Sequence, residues 1–332
     1  MNDPVQIPET VSVDAVRAGN RRALARAITL IESSRPEHRR AAEPLLAALL
    51  PHAGGALRLG ISGVPGVGKS TFIEALGLEA VRAGRKVAVL AIDPSSPLTG
   101  GSILGDKTRM ERLSRNENAF VRPSPSKGAL GGVARRTRET MLACEAAGFD
   151  LAIVETVGVG QSETAVADMV DIFLLLLAPG AGDELQGIKK GIVEMADLLV
   201  VNKADGDLKP AAERARRDYA SALHMLSPLS KVGKARVMTC SALEEKGIDE
   251  VWRAIVALYD ERNASGALAQ RRAEQARAWM WTEVSDTVME RVRAHPALKG
   301  RLAALERDVA EGRVTPAEGA RRILDAIEGK AG

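Results

Sequence analysis

Gly63-Val64-Pro65-Gly66-Val67-Gly68-Lys69-Ser70-Thr71 fits the pattern G-x-x-x-x-G-K-[ST], and its reading decides the fold. In this pattern glycines let backbone N–H groups close on phosphate oxygens, the lysine reaches the β- and γ-phosphates, and the serine hydroxyl is a ligand for Mg²⁺. The flanks agree. Residues 56–62 read as a buried strand, and residues 71–83 read as a helix ended by Gly84, which is the strand–loop–helix order the motif requires. A helix N-terminus adds partial positive charge to such an anion site. The expectation is a nucleotide-binding α/β domain.

Working outward, apolar strand-like runs recur at residues 86–92, 120–123, 151–154, 171–177, 198–201 and 236–240, with helical segments between most of them. That alternation predicts a mostly parallel sheet flanked by helices on both faces. Ligands of such sheets bind at the carboxyl ends of the strands, where the polar motifs of this chain fall. Asp93-Pro94-Ser95-Ser96-Pro97 follows the second run. An Asp at that place can hold Mg²⁺, directly or through water, or orient an attacking water; taken alone, Asp-Pro is a turn. Gly100-Gly101-Ser102 and Asp106-Lys107-Thr108-Arg109 read as a loop entering a helix, with Asp106 either a second Mg²⁺ ligand or an N-cap. The Gly-rich residues 126–132 carry no assignable role.

Glu155-Thr156-Val157-Gly158-Val159-Gly160-Gln161 again ends an apolar strand. A carboxylate followed by x-x-G places the acid near Mg²⁺ and the glycine N–H on the γ-phosphate, so that the loop distinguishes triphosphate from diphosphate. The acid here is the longer Glu, and Gln161 is not adjacent to Gly158, so no water-positioning role is given to it. Asn202-Lys203-Ala204-Asp205 then selects the base. The Asp carboxylate accepts from the N1–H and 2-amino donors of guanine, and adenine would leave it unpaired. Lys203 lays its methylenes over the ring, and Asn202 ties the loop to its neighbours. Ser241-Ala242-Leu243, at the last strand end, suits a loop whose backbone N–H groups contact guanine O6. These four ordered elements predict a GTPase using GTP, GDP and Mg²⁺.

The ends of the chain are helical. Residues 21–33 and 36–50 each place apolar residues on one side, with arginines on the other reading as a solvated surface. Beyond residue 247, helices are expected at 248–262, 268–293, 297–307 and 315–328, the last opening on Thr315-Pro316-Ala317-Glu318, a capping-box pattern. Trp279, Trp281, Val284, Val288 and Val292 form the kind of stripe that is commonly buried against a second subunit. The expected divisions are a helical extension at 1–55, a phosphate-loop domain at 56–263 and a helical dimerisation region at 264–332.

Composition bounds the rest. With 46 Lys+Arg against 43 Asp+Glu the net charge is +3, so a pI near 8.9 reflects a small excess and no nucleic-acid partner is indicated. Cys144 and Cys240 read as small core residues in a reducing compartment. The first ten residues fit neither a signal nor a transit peptide, and the longest apolar run, 172–178, is too short to span a bilayer. A soluble, cytoplasmic protein without a membrane partner is expected.

The phosphate loop, the turn at Asp93, the Glu155–Gln161 and Asn202–Asp205 motifs, and Ala181-Gly182-Asp183-Glu184-Leu185-Gln186-Gly187 together resemble the MeaB/ArgK family of SIMIBI-class GTPases, over nearly the whole chain. That resemblance implies a homodimeric GTPase that acts as a chaperone of the adenosylcobalamin-dependent methylmalonyl-CoA mutase, gating cofactor loading and protecting the mutase from inactivation. It also implies that the stretch ending in Lys189 and Lys190 is a third switch reporting nucleotide state. In the resulting site Lys69, Asp93, Glu155 and Lys189 serve catalysis, while Ser70, Asp93, Asp106 and Glu155 support the metal. The alternatives are a chaperone of another cobalamin-dependent acyl-CoA mutase or an ArgK-type kinase of transport proteins. A metal-inserting GTPase would be expected to carry a Cys/His cluster, and the four histidines and two cysteines are scattered.

Overall fold

The computed structural model describes residues 11–93, 110–125, 130–156, 162–180, 190–226 and 235–329. The chain divides into two compact units, Met1–Arg272 and Ala273–Gly332.

The first unit is built on a seven-stranded sheet in the order β3-β2-β4-β1-β5-β6-β7. Its strands are β1 (Leu57–Gly63), β2 (Val87–Asp93), β3 (Ala119–Pro125), β4 (Leu151–Thr156), β5 (Ile172–Leu177), β6 (Leu198–Val201) and β7 (Arg236–Thr239). Every pairing is parallel, so the sheet is not merely mostly parallel. Parallel strands need crossovers that cover both faces, which is why β4, β5 and β6 are buried at every position and read as unbroken apolar runs. Pro123 and Pro125 lie in β3, an edge strand, where a missing N–H costs no ladder bond.

Among the described residues thirteen α-helices are formed. Three precede the sheet: α1 (Val13–Arg17), α2 (Arg21–Glu32) and α3 (Pro36–Leu49). Asn20 starts α2 by accepting from the N–H groups of Arg22 and Ala23 at 3.0 and 3.1 Å, which satisfies two of the orphan donors of a first turn. Leu24, Ile28 and Ile31 of α2 and Leu45 and Leu49 of α3 are buried, and both helices pack on α6 (Leu130–Ala146). The remaining helices of this unit are α4 (Lys69–Arg82), α5 (Glu111–Ser114), α7 (Ser162–Ala167), α8 (Lys190–Met195), α9 (Lys209–Leu226) and α10 (Ile248–Ala264). The first turns of α11 (Ala267–Arg293) complete it.

At the amino ends of the strands a buried ionic network fastens the start of α11 to the sheet. Asp171, fully buried, accepts from Arg272 Nε and Nη2 at 2.8 and 2.6 Å and from the Arg58 N–H at 2.8 Å. Arg58 in turn donates to the buried Glu145 at 2.6 Å. Removing one member of such a pair strands a buried charge and costs about 3–5 kcal/mol. The network lies at the opposite end of the sheet from the polar motifs and leaves that end clear.

The second unit holds the rest of α11, a 3₁₀ turn (Pro296–Leu298), α12 (Leu302–Ala310) and α13 (Pro316–Glu328). A continuous helix over 297–307 is not formed: Gly300 takes φ +78°, a left-handed break, and α12 starts afresh at Leu302. Thr315 does cap α13, its Oγ1 accepting from the Glu318 N–H at 3.2 Å. No helix among the described residues is long and apolar enough to cross a membrane.

Candidate nucleotide-binding site

The helix after the phosphate loop begins at Lys69, two residues earlier than expected. Gly68 is the reason. It is the N-cap with φ +92°, and an added Cβ would stand 2.9 Å from Asn202 Nδ2, so neither the turn nor the space admits a side chain. The Phe72 N–H donates to Gly68 O at 2.9 Å, and the helix axis therefore points its N-terminus into the loop. Lys69 Nζ donates to Gly63 O at 2.7 Å and Val64 O at 3.3 Å. Burial lowers the pKa of its ammonium, and the Glu155 and Glu163 carboxylates act against that shift.

Ser70 Oγ donates to Glu155 Oε1 at 3.4 Å. Glu155 is buried near the carboxyl end of β4, in register with Ile61 of β1. A hydroxyl and a carboxylate facing each other beside a phosphate loop are the hard oxygen donors that Mg²⁺ takes when phosphates supply the rest of its shell. Among the described residues no group of three or more His, Cys, Asp and Glu could hold a metal on its own.

The base-reading motif is interlocked with the phosphate loop. Asn202, buried, donates from Nδ2 to Val67 O at 2.9 Å and accepts at Oδ1 from the Ala242 N–H at 3.0 Å. One side chain thus joins the loops at the ends of β1 and β7. Lys203 Nζ donates to Gly66 O at 2.7 Å, with its backbone at φ +59°. Asp205 accepts from Ser241 Oγ, and that hydroxyl accepts from the Glu244 N–H at 3.1 Å. Ala204 N–H donates to Cys240 O at 2.9 Å. Burial, with the Asp205 carboxylate second, pushes the Cys240 thiol up to about 12, which keeps it a neutral core group; Cys144 is likewise fully buried and raised.

Lys69, Ser70, Glu155, Asn202, Lys203, Asp205, Ser241 and Ala242 are thus brought to one end of the sheet. Leu243 follows as an exposed residue of the same turn. Asp93 closes β2, paired with Pro125, but its side chain lies outside the described residues, as do Asp106, Gly158 and Lys189 entirely. Two features escaped the sequence. Glu163 is fully buried in the first turn of α7 and close enough to act on Lys69; its only signal was an acid two residues past the Glu155–Gln161 motif. The Ser241 hydroxyl, expected to serve only through its backbone, is a partner of the Asp205 carboxylate.

Comparison with known proteins agrees with this arrangement. The family described as "Methylmalonyl Co-A mutase-associated GTPase MeaB" matches residues 24–297. A "Putative GTPase" of Caulobacter vibrioides is 59% identical over 93% of this chain and 95% of its own length. "GTPase ArgK" of Escherichia coli is 50% identical over 96% of each. The "Methylmalonic aciduria type A homolog, mitochondrial" of Mus musculus is 47% identical over 94% of this chain and 78% of its own. A solved structure, "Crystal structure of LAO/AO transport system kinase", superposes with a TM-score of 0.75 at 42% identity over 99% of both chains. The Gly63–Thr71 loop locked to the Asn202–Asp205 segment on a parallel sheet, in a chain matched across most of its length, makes this chain a member of the MeaB family: a P-loop GTPase that binds guanine nucleotide and hydrolyses GTP.

Proposed function

We propose that this GTPase is a nucleotide-controlled chaperone of the adenosylcobalamin-dependent methylmalonyl-CoA mutase, gating cofactor loading and guarding the mutase against inactivation. The observation that carries the reading is the family match over residues 24–297, whose description names that mutase. In this reading the phosphate-loop N–H groups and Lys69 hold charge on the β- and γ-phosphates as it develops. Asp205 and Ser241 read the base edge, the backbone of Ala242 and Leu243 faces O6, and Lys203 covers the ring. Ser70 and Glu155, with Asp93 and Asp106, are the residues that would hold Mg²⁺, and the bound ion would neutralise phosphate charge. Gly158 would contact the γ-phosphate, and the stretch ending in Lys189 would report its loss to the partner.

The three-part division at residues 55 and 263, and a cytoplasmic location, belong to the same proposal. So does a homodimer. Its support is the apolar stripe of α11, where Met280, Trp281, Val284 and Val288 are exposed, Trp281 to 64%, a pattern that asks for a partner helix. A second reading, a kinase acting on a transport protein, is favoured by the likeness to the LAO/AO transport system kinase.

One experiment separates the two: turnover of γ-labelled GTP, with and without the purified mutase, by the wild type and by Lys189→Ala. The chaperone reading expects label in free phosphate, faster turnover with mutase, and a Lys189→Ala protein that binds a non-hydrolysable analogue normally but responds weakly to mutase. Label retained on protein would favour the kinase. Full mutase response in Lys189→Ala would remove that lysine from the coupling.

A further inference from the structure

The turn that carries Ser241 and Ala242, the partners of Asp205 and Asn202, is moored to α4 by an ionic cluster that no motif contains. Residues 241–246 close on themselves: the Ser241 N–H donates to Lys246 O at 2.9 Å and the Lys246 N–H to Ser241 O at 3.1 Å. Just before that closure Glu245 stands at φ +53°, a left-handed conformation that strains a non-glycine residue. A glycine would take that conformation freely, so the side chain must be kept for something else.

Its carboxylate is engaged at both oxygens. Arg82 Nη2 donates to Oε2 at 2.8 Å, and Arg112 Nη1 donates to Oε1. Together these contacts hold the Glu245 carboxyl below its ordinary range, Arg112 contributing first. Both arginines hang on α4. Arg82 is its last residue. Arg112 belongs to α5, whose N–H groups at Arg112 and Leu113 donate to Glu74 Oε1 of α4 at 2.7 and 3.3 Å. Gly77, between Glu74 and Arg82, leaves room for this seat: a Cβ there would lie 2.6 Å from Leu113 Cδ2. The first residues of that same helix are Lys69 and Ser70.

We propose that Glu245 is a positioning residue for guanine recognition, tying the 241–246 turn to α4 through Arg82 and Arg112 so that base subsite and phosphate subsite ride on one rigid element. The turn so held keeps the Ser241 hydroxyl on Asp205 and the Ala242 N–H on Asn202. The proposal rests on the reading of Asp205 as the base reader. The two exposed ion pairs together, spent on preorganisation, correspond to a few-fold in affinity.

The test measures GDP release, GTP KM and kcat for the full chain carrying Glu245→Ala, Glu245→Gln, Arg112→Ala and the Glu245→Ala/Arg112→Ala double change, with Asp205→Asn alongside. Glu245→Ala and Glu245→Gln should release GDP about three- to ten-fold faster and raise KM to match, while kcat moves less than about two-fold. Added salt should speed release from the wild type and leave Glu245→Ala nearly unchanged. In the double variant the Arg112 change should add little, because Glu245→Ala already removes the contact that Arg112 makes. Glu245→Gly, which relieves the left-handed backbone, should keep the melting temperature yet still release GDP fast. Wild-type release and KM in Glu245→Ala and Glu245→Gln, while Asp205→Asn loses guanine affinity, would overturn the proposal alone. Intact guanine affinity in Asp205→Asn would bring down the base reading and this inference with it. A kcat that falls as far as kcat/KM would place Glu245 in the chemistry and also overturn the positioning role.

Discussion

The nucleotide corner and the α11 stripe are opposites in how their side chains are used. At the corner each polar side chain is held by a neighbour: Asn202 by Val67 and Ala242, Lys203 by Gly66, Asp205 by Ser241. Along α11, Met280, Trp281, Val284 and Val288 are exposed. A cross-braced polar corner fixes one geometry before any ligand arrives, because an unsatisfied buried group there costs about 1–3 kcal/mol. An exposed apolar stripe fixes nothing until a partner covers it, and its energy is then nondirectional. The first region therefore reads as chemistry, and the second as association.

The sharpest way to break the comparison is at the corner. Lys69→Ala should lower kcat for GTP by about a hundred-fold or more, since a fixed cation opposite the developing phosphate charge is lost. The fold should survive, because the hydrogen bonds Lys69 gives up go to the Gly63 and Val64 carbonyls of its own loop, and what it loses besides is its attraction to Glu155 and Glu163. Turnover near the wild-type rate in a folded variant, judged by circular dichroism, would remove Lys69 from the phosphate site.

The stripe should respond in the other sense. Trp281→Glu puts a charge where the proposed homodimer buries an indole, a loss of about 3–5 kcal/mol at the interface. Sedimentation velocity should show a dimer for the wild type and a monomer for the variant, with GTP turnover per chain within about two-fold. A variant that stays dimeric would move the interface elsewhere; one that loses turnover would mean the two regions are not independent.

The same contrast explains what the sequence made legible. The parallel sheet and the turn of the Gly63–Thr71 loop were readable because each demands particular residues in a particular order: unbroken apolar runs for the buried strands, and glycine at 68 for a left-handed turn with Lys69 and Ser70 directly after it opening α4. Strand limits moved by one or two residues, since apolar runs such as 171–177 do not mark where pairing stops. Glu163, Glu245 and the Ser241 hydroxyl were not legible, because their roles depend on neighbours distant in the chain, Lys69, Arg112 and Asp205. The break at Gly300 was missed for a local reason: an apolar pattern over 297–307 continues through a glycine that the backbone does not.

Asp205, held by Ser241, is the residue proposed to select guanine within a preformed corner. Competition binding of GDP and XDP to the wild type and to Asp205→Asn tests it most directly. An amide donates to the 2-oxo group of xanthine that a carboxylate repels, and it loses the charge-assisted bonds to guanine, about 1.5–3 kcal/mol each. The predicted result is GDP affinity reduced roughly ten- to a hundred-fold and XDP affinity raised, so that the preference inverts or vanishes. An Asp205→Asn protein that keeps the wild-type preference for GDP over XDP would contradict it.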